Sequence, residues 1–186
     1  MTTPEHHSVV GSEREAASAT PASQSLSIRT AAVTDAALLK TLIHEFARFQ
    51  RMEASVSEDA LLRNGFGPRP LFRALIAEWQ AQSAGYALFF DYYSTFRGAS
   101  GIFLEDLYVR EDFRGKGIGK RLLAEIAALA QKEHCAGIMF NVLDWNHDAI
   151  NVYRRMGATF LDDWKTVCLE GSALEKLSLL QNWRAG

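Results

Sequence analysis

From Leu26 onward the apolar residues come in runs whose spacing changes from one run to the next, and the spacing predicts the elements. Leu26-Ser-Ile-Arg29 alternates as a short strand does. Leu38, Leu39, Leu42, Ile43, Phe46 and Phe49 recur at three and four residues, the period of one helix face, which predicts a helix over about 35–51. Thr34 stands where an N-cap is expected, and Asp35 lies in the first turn, where a negative charge meets the positive end of the helix. Ser57-Glu-Asp59 opens a second, short helix that closes near Asn64-Gly65, and Phe66-Gly-Pro-Arg-Pro70 reads as a loop. Phe72 to Glu78, Ala84 to Tyr93 and Ile102 to Val109 read as strands, with a turn at Arg97–Gly101 between the last two. A long helix over about 117–134 comes next, then a continuous apolar run, Gly137–Leu143, that reads as a buried strand. Asp148–Met156 is a short helix stopped by Gly157. Thr159–Leu161 and Trp164–Leu169 are strand material, and Ser172–Leu180 is a last helix.

Three strands in succession imply antiparallel hairpins, and a strand–helix–strand unit implies a parallel crossover. The predicted fold is therefore α/β, a central mixed β-sheet flanked by helices. Met1 to about Ser25 holds almost no large apolar residue and is rich in Ala, Ser, Thr, Glu and His. It reads as a disordered N-terminal tail of residues 1–25 before one domain at 26–186, and it lacks the apolar core of a secretory signal. His6-His7 is an isolated pair, so no metal site is expected.

A length of 186 residues with 48% hydrophobic and 11% aromatic residues suits one domain with a real core. The net charge of −2 lends no electrostatic support to a nucleic-acid partner. No apolar run approaches the roughly 18 residues of a spanning helix, so no membrane partner is expected. Cys135 and Cys168 are far apart without metal spacing and read as reduced thiols of a cytoplasmic protein.

The chemistry starts at Arg114-Gly115-Lys116-Gly117-Ile118-Gly119-Lys120. Three glycines in five residues, between a strand and a helix, let backbone N–H groups converge on the positive end of that helix, a seat for a phosphate or pyrophosphate. A P-loop requires a glycine at position 120, where Lys120 stands. In the dinucleotide fingerprint the third glycine would come one residue later than Gly119.

What remains, Arg-Gly-x-Gly-Ile-Gly after the fourth strand, resembles the GNAT superfamily of N-acetyltransferases, with Arg114, Gly117 and Gly119 on its signature. Further segments resemble its spermidine/spermine, diamine and thialysine branch: Ile28-Arg-Thr-Ala31, Phe49-Gln-Arg-Met-Glu53, Asn64-Gly-Phe-Gly67, Leu104-Glu-Asp-Leu-Tyr-Val109, Asp144-Trp-Asn146 and Asn151-Val-Tyr-Arg-Arg-Met-Gly157. The resemblance implies acetyl-CoA as co-substrate. Its pyrophosphate would lie on the amides of Arg114, Gly115, Lys116, Gly117, Ile118, Gly119 and Lys120, and its pantetheine arm along the backbone of Leu107, Tyr108 and Val109. A second cofactor-lining stretch would be Asn146, His147, Asp148 and Ala149, with Asn146 also placed as a helix N-cap.

The resemblance further implies Tyr153 as the acid that protonates the leaving thiolate, with Tyr153 also touching the cofactor. It implies Glu105 as the carboxylate that meets the amine, as base or as an orienting group. Asp106 points away from Glu105 in a regular strand, and a bulge would change that. Phe49, Gln50, Glu53, Asn141, Asp144 and Trp145 complete the expected substrate side, with Asp162, Asp163 and Trp164 as further acidic and aromatic supply. Phe49-Gln50 stands where polyamine relatives carry Tyr-Glu, so one hydroxyl and one negative charge are missing. That favours a short amine or an amino acid such as thialysine, lysine or ornithine over a long polyamine. The expected protein is an amine N-acetyltransferase acting by direct attack in a ternary complex, with a homodimer implied by its relatives. A protein-amine acetyltransferase, a non-catalytic acyl-CoA sensor and an interaction protein are the competing readings.

Overall fold

The computed structural model describes residues 25–182, and contacts divide the chain after Asn141. The tail expected over 1–25, with His6-His7, lies almost wholly outside the described residues.

The first unit is built on a five-stranded sheet of order β1-β2-β3-β4-β5. Its strands are β1 (Leu26–Thr30), β2 (Arg73–Trp79), β3 (Gln82–Ser94), β4 (Ala99–Val109) and β5 (Ile138–Phe140). β1 to β4 pair antiparallel and β4 pairs β5 in parallel, so the expected mixed sheet is present. The helices are α1 (Ala36–Phe49), α2 (Glu58–Gly65) and α3 (Ile118–Lys132). One layer packs Leu39 and Leu42 of α1 and Leu61 of α2 on Ala74, Ile76, Tyr86, Leu88 and Tyr108 of the sheet. α3 buries Leu122 and Ile126 and contacts β1 to β4.

α2 starts where its cap predicts, with the Ser57 hydroxyl accepting from the Ala60 N–H at 3.1 Å. Thr34 is not an N-cap. Asp35 takes the local hydrogen bonds instead, accepting from the Ala32 N–H at 2.7 Å and from both terminal nitrogens of Arg29 at 2.7 and 2.9 Å. Arg110 fastens α1 to the sheet, donating to Glu45 at 2.8 and 2.9 Å and to the Ser83 carbonyl at 2.8 Å.

The second unit, described over 142–182, holds α4 (His147–Arg155) and α5 (Gly171–Ser178). Gly157 ends α4 with φ at 83°, the left-handed conformation that glycine adopts most easily. Two expectations are corrected here. Thr159–Leu161 and Trp164–Leu169 form no strand among the described residues, and β5 is three residues rather than seven. Apolar composition marks a segment that seeks cover, but a strand also needs a ladder partner, and these residues have none there.

Candidate active site

The glycine loop is built as an anion seat. A single 3-10 turn, Glu111–Phe113, ends β4. Gly115 and Gly117 then take φ of 76° and 77°, and Gly117 is the N-cap of α3. A side chain at either would be strained, so these two glycines are required by backbone conformation. Gly119 differs. It lies in the first turn of α3, where an added Cβ would make only an ordinary 3.7 Å contact with Val109. Among the described residues no side-chain hydrogen bond caps this helix, and its N-cap Gly117 has no side chain to make one. Two cations are held beside it. Arg114 donates through Nε to the Val109 carbonyl at 3.1 Å, and Lys116 donates to the Asp112 carbonyl at 2.9 Å.

β4 carries the acidic pair. Its register with β3 runs Leu88↔Asp106 and then Phe89↔Leu104, so Glu105 is one extra residue, a β-bulge. The bulge breaks the alternation that would have put Glu105 and Asp106 on opposite faces. Glu105 is exposed and Asp106 is half-buried, with the Tyr86 hydroxyl donating to it at 2.8 Å. Partial burial, countered by that bond and helped by the Glu105 charge, raises the Asp106 carboxyl to about 6. β5 pairs with β4 only from Ile102 to Leu104. The β4 backbone from Glu105 to Val109 has no strand on that side among the described residues.

The end of α1 meets this strand and the loop. Phe46 and Phe49 lie 5.6 and 6.4 Å from the Tyr108 ring, and the Arg114 guanidinium sits 4.5 Å from the Phe49 ring centre. Expected substrate-side and cofactor-side residues are thus in direct contact at Phe49 and Arg114. Gln50 caps the C-terminus of α1, and exposed Glu53 lines a concave spot with His44, Arg48 and Met52. Asn141 is exposed just beyond β5.

In the second unit the Asn146 side chain accepts from the Ala149 N–H at 3.3 Å, as its sequence position predicts. His147 and Asp148 are exposed in the first turn of α4, and Ala149 is half-buried. Asp144 and Trp145 are exposed just before the helix. Tyr153 is half-buried on α4, and burial pushes its phenol above the usual value, so it is protonated at neutral pH. Arg154 stacks 5.1 Å from the Phe160 ring centre.

Tyr86 and Asp106 stand out in this geometry and not in the sequence, where Tyr86 reads as one more apolar strand residue. The signal that was available is the acidic doublet Glu105-Asp106 inside an apolar strand. Among the described residues no cluster of three or more His, Cys, Asp or Glu is arranged to hold a metal, and no helix is long and apolar enough to cross a membrane. Cys135 and Cys168 are free thiols.

The profile of the acetyltransferase (GNAT) family matches residues 37–158. The chain belongs to the GNAT acetyltransferase family. It is 35% identical over 164 residues to the thialysine N-epsilon-acetyltransferase of Mus musculus, covering 81% of this chain and 96% of that protein. It is 40% identical over 97 residues to the L-ornithine N5-acetyltransferase of Arabidopsis thaliana, covering 52% of this chain and 42% of that one. Among solved structures, an aminoglycoside N-acetyltransferase in complex with CoA superposes with a TM-score of 0.65 at 18% identity, covering 82% of this chain and 98% of that one. This GNAT member is accordingly an amine N-acetyltransferase, of a family whose acetyl donor is acetyl-CoA. The site fits that donor: two cations flank the glycine loop, and among the described residues the loop has no side-chain cap and the β4 edge beyond Leu104 has no strand partner.

Proposed function

We propose that this enzyme moves the acetyl group of acetyl-CoA to the primary amine of a small cationic substrate, an amino acid of the thialysine, lysine or ornithine kind in preference to a long polyamine. The likeness to thialysine N-epsilon-acetyltransferase, which spans nearly all of that protein, carries the reading. Phe49-Gln50 supports it, because this neutral pair attracts a distal ammonium more weakly than the Tyr-Glu of the polyamine relatives would.

The chemistry has three demands. An alkyl amine has a pKa near 10 and must lose a proton before it attacks. The carbonyl oxygen needs donors as it gains charge, and the leaving thiolate needs a proton. Glu105, exposed on the bulge, draws in and orients the ammonium. The backbone N–H groups of Leu107 to Val109 serve the pantetheine arm and the acetyl oxygen. Gly115 to Lys120 take the pyrophosphate with Arg114, and Asn146 to Ala149 line the cofactor further along. Tyr153, protonated at neutral pH, gives its proton to the thiolate. Glu53, Asn141, Asp144 and Trp145 complete the acceptor side. Attack is direct, since neither cysteine lies in these segments.

Two copies assemble through the C-terminal stretch, which exposes Val167 (84%), Leu169, Leu174, Leu177, Leu179 and Leu180.

The deciding experiment incubates the protein with acetyl-CoA and a panel of diamines, polyamines and basic amino acids, and follows free thiol release. Turnover with thialysine, lysine or ornithine at higher kcat/KM than with spermine is expected. Turnover confined to lysine-bearing peptides would replace the reading with protein acetylation. Tight CoA binding with no turnover on any amine would replace it with a sensor.

A further inference from the structure

The arginine-paired carboxylates of the first unit set a pattern that Asp106 breaks. Asp35 and Glu78 share Arg29, Glu45 meets Arg110, and Asp91 and Glu133 meet Arg73. Asp106 is half-buried, yet among the described residues its one hydrogen-bond partner is the neutral Tyr86 hydroxyl, and no cation pairs with it. A carboxylate withdrawn from water without a cation is costly, and the missing charge is one that a cationic ligand supplies. Tyr86 is fully buried beneath α1 and α2, so its hydroxyl is a fixed donor. The bulge at Glu105 brings Asp106 to this position directly beside the strand segment where the acetyl chemistry is placed.

We propose that Asp106, held by Tyr86, accepts the proton of the substrate ammonium, and that Tyr86 is its positioning residue. This rests on the amine-acetyltransfer reading and deepens it. One N–H bond of the ammonium breaks and its proton joins an Asp106 oxygen, leaving the nitrogen lone pair free. That pair forms the N–C bond to the acetyl carbon while the C–S bond breaks. The nitrogen loses its second proton to solvent, the thiolate takes one from Tyr153, and solvent restores Tyr153. Asp106 then releases its proton, so ammonium and acetyl-CoA give amide, CoA thiol and one proton. Glu105 guides the amine, and Asp106 deprotonates it.

The groups acting on this carboxyl are few. Glu105 on β4 adds a negative charge and Tyr86 on β3 donates to it. Tyr108 stands edge-on to Tyr86 at 6.4 Å, and Glu45 and Arg48 of α1 act on Tyr108 together with Arg114 and Arg110, which follow β4. α2 adds apolar Leu61 to this layer. A carboxyl lifted toward neutrality is a better base at working pH than an ordinary one.

The test is the pH dependence of kcat/KM for the amine, measured with Asp106→Asn, Tyr86→Phe and Glu105→Gln beside the wild type, with CoA affinity and thermal melting followed for each. Asp106→Asn is expected to lower kcat/KM for the amine by about 100-fold or more with CoA affinity within about threefold. Tyr86→Phe keeps the packing and removes a bond that favours the carboxylate. Its acidic limb should therefore move to higher pH by about half a unit or more. Glu105→Gln should raise KM for the amine, keep an acidic limb and shift it slightly downward. Asp106→Asn within about threefold of wild type would overturn the proposal. So would an unmoved limb in Tyr86→Phe, or a limb abolished by Glu105→Gln. If Asp106→Asn fails to fold, the limb of Tyr86→Phe decides alone. A wild type inactive on every amine overturns the functional reading as well, whereas an active wild type with an undiminished Asp106→Asn overturns only this role.

Discussion

Tyr153 and Asp106 are both weak acids lifted by partial burial, and in the proposed mechanism the same cause has opposite uses. Raising a phenol keeps its proton available for a thiolate, while raising a carboxyl makes it a better proton acceptor. Tyr153→Phe is expected to lower kcat at least tenfold while CoA affinity changes little, as steady-state kinetics and calorimetry would show; an unchanged kcat removes its role as acid. Gln50→Glu restores a negative charge at the end of α1 and should raise kcat/KM for spermidine relative to lysine; an unaltered ratio would place Gln50 outside the acceptor path. Asp35 makes a different case, held below the usual carboxylate range by the Arg29 bonds against the cost of burial. Its contribution is present above the unfolded value and lost as pH falls through the folded one. Asp35→Asn should therefore cost on the order of 1–2 kcal/mol at pH 7, and the difference in Tm should begin to shrink only below about pH 4 and close once the pH falls beneath the lowered folded value.

Among elements, the helices were readable because periodicity and caps are local. α1, α2, α3 and α4 all lie within a few residues of where Leu39, Ser57, Gly117 and Asn146 predict them. The bulge at Glu105 was not readable, because register belongs to two strands at once and the sequence of one says nothing of its offset against the other. The Asp106–Tyr86 pair depends on that offset and was hidden with it. The loop glycines separate into two kinds that experiment can distinguish. Gly117→Ala forces a side chain into φ of 77° and is expected to lower stability by about 1 kcal/mol and to weaken CoA binding. Gly119→Ala gains helix propensity at a permissive position, so Tm should hold or rise slightly; the KM for acetyl-CoA should rise several-fold if its Cβ crowds the helix end proposed to seat the phosphates. An unchanged KM would mean that the pyrophosphate does not approach Gly119.

For the whole molecule, the sheet and its two helical layers followed from strand order alone, since hairpins and a crossover leave few topologies. The segment 158–170 did not, because its apolar residues seek a surface that the local pattern cannot name. Assembly is the prediction at this scale. Sedimentation should show a dimer, and Val167→Glu with Leu169→Glu should shift it to monomer without loss of the α3 and sheet core; a wild-type monomer at micromolar concentration would exclude the assembly.

The stack of Arg114 on Phe49 has a consequence for anyone who would change what this enzyme acetylates. Position 49 is an obvious place to reshape acceptor preference, yet the same ring steadies the guanidinium beside the glycine loop. Libraries randomised there and screened only for a new amine will select variants whose acetyl-CoA requirement has shifted too. On the proposed acceptor side the two preferences would be inherited together through one side chain, and a redesign that keeps an aromatic at 49 and varies Gln50 and Glu53 instead would separate them.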